Sequence, residues 1–267
     1  MKKLFTSLFF FWTIFVHAGY NYHWALEQKF TTRSSINQIN YVNRLIGSLK
    51  RDGNWTKLDA LWVMAVEAQV QAVYNWKNPG ANTLTEVNAP GWIAKQGYTS
   101  NGTTSYLNTN FNPATQGVNY TQNSGLFGIY VRTNVSEIKE DMGFTSTTGD
   151  GSLIRTRVSD NFTVRINAAT NFSFANTDSR GFYSVVRTAS NEMASYKNGA
   201  QVATSTIVSN AIPSLNVFIC ARDNNGTADL LSTKQLSIVP IGSGTIDNLL
   251  LNTSTEAYMD DIGTGVQ

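Results

Sequence analysis

The chain has one cysteine, Cys220, and only two histidines, His17 and His23, in 267 residues. A single thiol forms no internal disulfide. Both histidines lie near the N-terminus, so the body of the chain cannot assemble a serine or cysteine triad or a Cys/His zinc site. Cys220 falls in the strand-like run 215–221 and reads as a small buried hydrophobe. Charge is scarce too. Asp, Glu, Lys and Arg make up 14% of the chain, against about a quarter in ordinary globular domains. The surface must therefore be covered largely by Asn, Ser, Thr, Gly and Gln, as in extracellular and virion-surface β-proteins. The net charge of +2 resides in Lys2 and Lys3, and beyond residue 18 the basic and acidic residues balance. With no basic stripe left to neutralise phosphates, nucleic acid is not an expected partner. The apolar run Leu4–Val16 is shorter than the ~20 residues of a membrane span. Flanked by Met1-Lys2-Lys3 and by Val16-His17-Ala18, it reads as a signal peptide cleaved after Ala18. The mature chain then has no stable membrane span.

Hydrophobic residues at 42% and aromatics at 12% suffice for a folded core. Ile36, Ile39, Val42, Leu45, Ile46 and Leu49 recur at helical spacing. Ser34 or Ser35 can cap this helix, and Lys50, Arg51 and Gly53 suit its end. Leu58–Val66 contains a continuous apolar run that is either a strand or a helix turn. A second helix is expected over Glu67–Trp76, then a loop over 77–97. From Gly97 the apolar period becomes two: Leu107/Thr109/Phe111, Phe127/Ile129/Val131, Phe162/Val164/Ile166, the segment 182–187 and Val217/Ile219/Ala221. Such strands, separated by Gly, Asn, Asp and Ser clusters, predict an antiparallel sandwich or barrel. Asn198-Gly199 predicts a type I′ hairpin, because both positions need positive φ. Asp223-Asn224-Asn225-Gly226 predicts a second turn. A C-terminal helix is expected, capped by Thr245, lined by Ile246, Leu249, Leu250 and Ala257, and stopped by Gly263. The organisation expected is a signal peptide over 1–18, a helical lead-in with one strand over 19–95, and a sandwich over 96–267.

Three segments carry a family resemblance. The stretch from Gly97 to Leu107 resembles the opening strand pair of laminin-G-like, concanavalin A-like domains. Ser195–Ala203 resembles their Tyr-x-Asn-Gly hairpin, and Val217–Asn225 the strand and turn that follow. The resemblance implies a mostly β fold: an antiparallel sandwich, the concanavalin A-like jelly roll, with N-terminal helices and a short C-terminal helix. It resembles the versions found in phage structural proteins and in bacterial surface or secreted proteins. That implies a binding or adhesion role with a glycan or a surface protein as partner, at the cell surface or on a virion, with homo-oligomer or virion assembly open. It brings no catalytic residues.

Sugar binding needs aromatic faces and planar polar groups at a rim. Tyr120, Asn123, Tyr130, Asp178, Arg180 and the turn Asp223, Asn224, Asn225 are the candidates by type. Ordinary strand packing is the competing role for the two tyrosines. Some laminin-G-like domains hold Ca²⁺ in rim loops, and Asp150, Asp178, Asp223, Asn224 and Asn225 offer the hard oxygens it takes. None shows dense ligand spacing, and a turn-forming role competes for each. A glycosidase of this fold would need two carboxylates on one strand face, ~5–5.5 Å apart for retention. Glu137, Glu140 and Asp141 are spaced three and one, and read as a solvated acidic loop. The expectation is therefore a non-catalytic module.

Overall fold

The computed structural model describes residues 29–30 and 34–267. The expected signal peptide lies outside the described residues.

The first helix, α1 (Ile36–Arg51), forms where the apolar period requires it. Ser35 is its cap, with Oγ accepting from the Gln38 N–H at 3.1 Å. Gly53 ends it at φ +72°, a conformation that costs glycine little. Val42, Leu45, Ile46 and Leu49 are buried, whereas Ile36, in the first turn, is exposed. The apolar run that follows is a strand, β1 (Leu58–Val63). The expected helix over Glu67–Trp76 shrinks to one turn, α2 (Gln69–Ala72). Tertiary hydrogen bonds override local propensity there. Asn75 Oδ1 accepts from Leu61 N–H, and Trp76 N–H donates to Leu61 C=O, so the chain is drawn back along β1. The expected loop over 77–97 contains two short strands, β2 (Thr85–Val87) and β3 (Gly91–Ile93).

Two sheets follow. In chain order the remaining strands are β4 (Gly97–Thr99), β5 (Tyr106–Asn108), β6 (Gly125–Val131), β7 (Met142–Thr145), β8 (Gly151–Val158), β9 (Asn161–Ala168), β10 (Phe172–Ala175), β11 (Gly181–Ala189), β12 (Glu192–Lys197), β13 (Ala200–Ser205), β14 (Phe218–Ile219), β15 (Arg222–Asn224), β16 (Thr227–Asp229) and β17 (Gln235–Gly242). One sheet has the order β13-β12-β11-β6-β17-β4-β3, with β1 also on β17. The other runs β10-β9-β8-β7-β14-β5-β2, with the hairpin β15-β16 also on β7. Pairing is antiparallel except for β15 on β7. The sheets face each other: Phe127 meets Phe144, and Tyr183 meets Phe162, at ring centroid distances of 6.0 and 4.9 Å. This is the antiparallel β-sandwich that the alternation predicts.

β6 is buried along its whole length, because its second face is covered as well. The C-terminal helix α4 (Asn248–Asp261) packs beside it on β11, and α1 packs on α4. Between these in chain order comes the one-turn helix α3 (Pro113–Gln116). The cap of α4 is Asp247, not Thr245, with Oδ1 accepting from Leu250 N–H at 2.9 Å. Its buried side is also not the expected one. Asn248, Leu251, Asn252, Thr255, Tyr258 and Met259 face inward, while Leu249 and Leu250 are 60% and 36% exposed. The reason is polar: Ser184 Oγ donates to Asn248 Oδ1 across a buried interface, and an inward-facing polar group needs its partner. The stop at Gly263, φ +78°, is as expected.

The hairpin at Asn198-Gly199 joins β12 to β13 with φ of 52° and 77°. The second turn joins β15 to β16 through Asn225 and Gly226, at φ 50° and 92°. The strand expected over 217–221 breaks at Cys220, φ 62°, where the chain reverses from antiparallel to parallel pairing on β7. Cys220 is fully buried and its thiol pKa is pushed up by that burial.

Candidate functional site

The residues chosen by type do not form one site. Tyr120 is buried between the sheets, its hydroxyl donating to Asn167 Oδ1 and paired with Ser152 Oγ, both at 2.7 Å. Tyr130 is buried beneath the C-terminal segment and accepts from Val266 N–H. Burial pushes both phenols well above their usual range. Neither ring is available for stacking on a ligand, because both belong to the packed interior. Asn123 is exposed near the start of β6 and accepts from Ser209 Oγ at 2.6 Å. Asp178 and Arg180 form a surface ion pair of 2.8 Å beyond the other end of β6, where Gly181 pairs with Val131. Asp223 is buried and accepts from Gly226 N–H. Asn224 donates to Asp229 Oδ2, and Asn225 N–H to Thr145 C=O.

The carboxylates suggested for Ca²⁺, Asp150, Asp178 and Asp223, are engaged by protein donors. Asp150 accepts from Asn210 and Thr148, and Asp178 from Arg180. At the Asp178 rim a cation is built into the chain. Lys197 Nζ donates to Asn176 Oδ1 at 2.8 Å and to Asp178 C=O at 2.7 Å. It also lies 5.3 Å from the centre of the Tyr183 ring.

The acidic cluster is a correction. Glu140 and Asp141 are fully buried, not solvated. Lys234, buried as deeply, reaches Asp141 Oδ1 at 3.0 Å and Glu137 Oε1 at 3.4 Å. Arg155 and Arg222 hold Glu140 Oε1 at 2.7 and 3.2 Å. Burial raises the Glu140 pKa, against the lowering effect of these arginines. The side chains knit β7, β8, β15 and the approach to β17 together.

What the fold does assemble is a cleft of about 450 Å³ that sequence spacing did not reveal. One wall comes from β1 and the segment 75–82, the other from 111–119. Its polar lining is mainly carboxamide: Asn75, Asn78, Asn82, Gln116 and Asn119. Leu58 and Phe111 supply apolar surface. The loop bearing Gln116 and Asn119 is pinned by Asp59, whose carboxylate accepts the N–H groups of Val118, Asn119 and Tyr120 at 2.7–3.2 Å. Asn119 Nδ2 adds a further bond to Asp59 at 2.8 Å, so that charge is already satisfied within the protein. Asn82 sits at φ 54°. Its C=O accepts from the Trp62 indole, and its Oδ1 from Gln116 Nε2 at 3.1 Å across the cleft. Lys77 is the cation here. Its Nζ donates to Trp55 C=O at 2.5 Å and lies 4.5 Å from the Trp55 ring centre, and burial lowers its pKa. Asn75 is fully buried. Its Oδ1 takes two N–H groups, but its Nδ2 has no partner among the described residues. An orphaned buried donor is costly, about 1–3 kcal/mol.

Asn75 falls in the expected helix and Asn78 and Asn82 in the expected loop, while Gln116 and Asn119 carry no expected element. Each amide alone looks like turn chemistry, so nothing short of the fold brings them together.

No protein-family model matches the chain, and no curated protein matches it. Solved structures do. The receptor binding domain of botulinum neurotoxin C/D mosaic serotype superposes with TM-score 0.54 at 11% identity, covering 76% of this chain and 52% of that one. The binding domain of botulinum neurotoxin serotype D gives 0.52 at 11% identity, over 79% and 52%. The receptor binding domain of botulinum neurotoxin D gives 0.51 at 12%, over 76% and 53%. The chain spans about half the length of these structures, and the likeness is one of fold. Among the described residues no helix is long and apolar enough to cross a membrane.

Proposed function

We propose that this chain is a non-catalytic carbohydrate-binding module of the concanavalin A-like, laminin-G-like kind, displayed outside the cell, and that its saccharide site is the carboxamide-lined cleft. The observation that carries the reading is a cleft of about 450 Å³ whose polar groups are mostly planar amides, with Asn78 and Gln116 exposed in it. Amides offer a donor and an acceptor side by side, matching vicinal hydroxyls. The fold shared with two toxin receptor binding domains supports a binding role. With Asp59 saturated and Lys77 the available charge, the cleft suits neutral or acidic sugars. A single small site of this kind should bind in the millimolar to micromolar range, about −4 to −8 kcal/mol.

A glycan array with the full chain, followed by titration calorimetry on the best glycan, tests this. Asn78→Ala with Gln116→Ala, at two exposed positions, should weaken binding at least tenfold while the chain stays folded by circular dichroism. An array without binding at high protein concentration, or a double variant that binds as well as the parent, overturns the assignment.

A further inference from the structure

One flank of the sandwich is open. β10 ends one sheet and β13 ends the other, and neither is paired on its outer side by a described strand. Between them lies a second cleft, of about 510 Å³, bordered by Phe172, Asn191, Glu192, Met193, Thr204 and Thr206. Such a volume is within the ~300–1,000 Å³ range of small-molecule sites. Phe172 is half-buried and ends a string of rings that runs inward. Its centroid is 5.8 Å from Phe174, which is 4.9 Å from Phe162, which is 4.9 Å from Tyr183. The ring is thus backed by the core and keeps an exposed part at the edge. Met193, almost wholly buried, adds apolar floor. Ser195, two residues along the same strand face, is fully buried, and its Oγ has no partner among the described residues. The rim is an amide, hydroxyls and one carboxylate, Glu192, which is exposed and is the only charged group of the lining among the described residues.

We propose that this flank cleft is a second ligand site, for a sugar ring that is neutral or carries an amine. A pyranose has a C–H face suited to an aromatic wall and an edge of hydroxyls suited to Asn191, Thr204 and Thr206. Glu192 repels an acidic sugar and attracts an amino sugar. At an exposed ion pair of up to about 1 kcal/mol that attraction is worth roughly two- to fivefold in affinity. The two clefts therefore select in opposite senses: Lys77 lets the first accept acidic sugars, and Glu192 turns them away from the second. The proposal shares with the function above only the premise that the chain binds saccharides.

Residue-resolved amide NMR on the full chain, titrated separately with glucose, glucosamine and glucuronate, tests it. Glucose and glucosamine should move the signals of Phe172, Met193 and Thr204–Thr206, with glucosamine two- to fivefold tighter and glucuronate weakest. Glu192→Gln should remove the preference for glucosamine and leave glucose binding intact. Phe172→Ala should weaken both at least tenfold, with the Asn198-Gly199 hairpin signals unmoved to show that the fold persists. No movement at these residues with any probe at tens of millimolar, or glucuronate binding as tightly as glucosamine, overturns the proposal. Movement confined to 75–82 and 116–119 supports the first cleft and overturns the second. Movement confined to the flank does the reverse.

Discussion

Replacing Lys234 by methionine should cost about 3–5 kcal/mol of stability, the usual penalty for stripping one partner from a buried ion pair. Lys234 and Asp141 are both fully buried and 3.0 Å apart. Methionine has nearly the same length and fills the same space, so the loss reports charge rather than a cavity. Asp141 would keep three hydrogen bonds, from Thr156 N–H and Oγ1 at 2.6 Å and from Ser232 Oγ at 2.7 Å. These stop the carboxylate from being wholly unsupported and favour the lower half of the range. For a chain of this size, ~2–4 °C per kcal/mol puts the fall in melting temperature at roughly 6–15 °C. Adding Asp141→Asn removes the stranded charge and should recover half or more of the loss, a coupling that a double-mutant cycle in urea reads directly. If Lys234→Met alone costs less than about 1 kcal/mol, the pair behaves as a solvated surface pair, and the claim that this lattice ties β7, β8 and β17 together fails.

Three further outcomes are expected. Arg180 bonds hold the Asp178 carboxyl below its ordinary value. Arg180→Ala should therefore raise the Asp178 pKa toward ~3.9, as read by carbonyl NMR titration. The folded value being the lower one, the parent's stabilisation is present above pH ~3.9 and fades as pH falls through the folded value. Gly199→Ala should cost about 1–2 kcal/mol or more in chemical denaturation. The alanine must adopt φ +77°, and its Cβ would come within 3.1 Å of Leu249 and 3.2 Å of Asn252. Ser35→Ala should cost ~1 kcal/mol, while Ser35→Asp should nearly restore stability if capping is the whole role. Ser35 also bonds Glu67 at 2.8 Å through its N–H and Oγ, so failure of aspartate to restore stability would assign the loss to that bridge.

Local chemistry alone settled much of the fold. Alternation from Gly97 onward called for strands, because a two-residue period has only one way to bury an apolar face. Asn198-Gly199 and Asn225-Gly226 called for turns, because few residues accept positive φ cheaply. Ser35 and Gly53 bounded α1 for similarly local reasons. What failed was whatever depended on distant partners. The Glu67–Trp76 helix lost to hydrogen bonds with Leu61. The buried side of α4 followed Ser184 rather than its own leucines. Glu140 and Asp141 read as solvated because their cations, Arg155, Arg222 and Lys234, lie 15 to 93 positions away in sequence. The clefts are the extreme case. Asn75 meets Gln116 and Asn119, and Phe172 meets Met193 and Thr204, only once two sheets have stacked and left gaps at their margins. Period and turn propensity are written within a few residues, whereas a ligand site is a relation between surfaces, and surfaces exist only after the chain has packed.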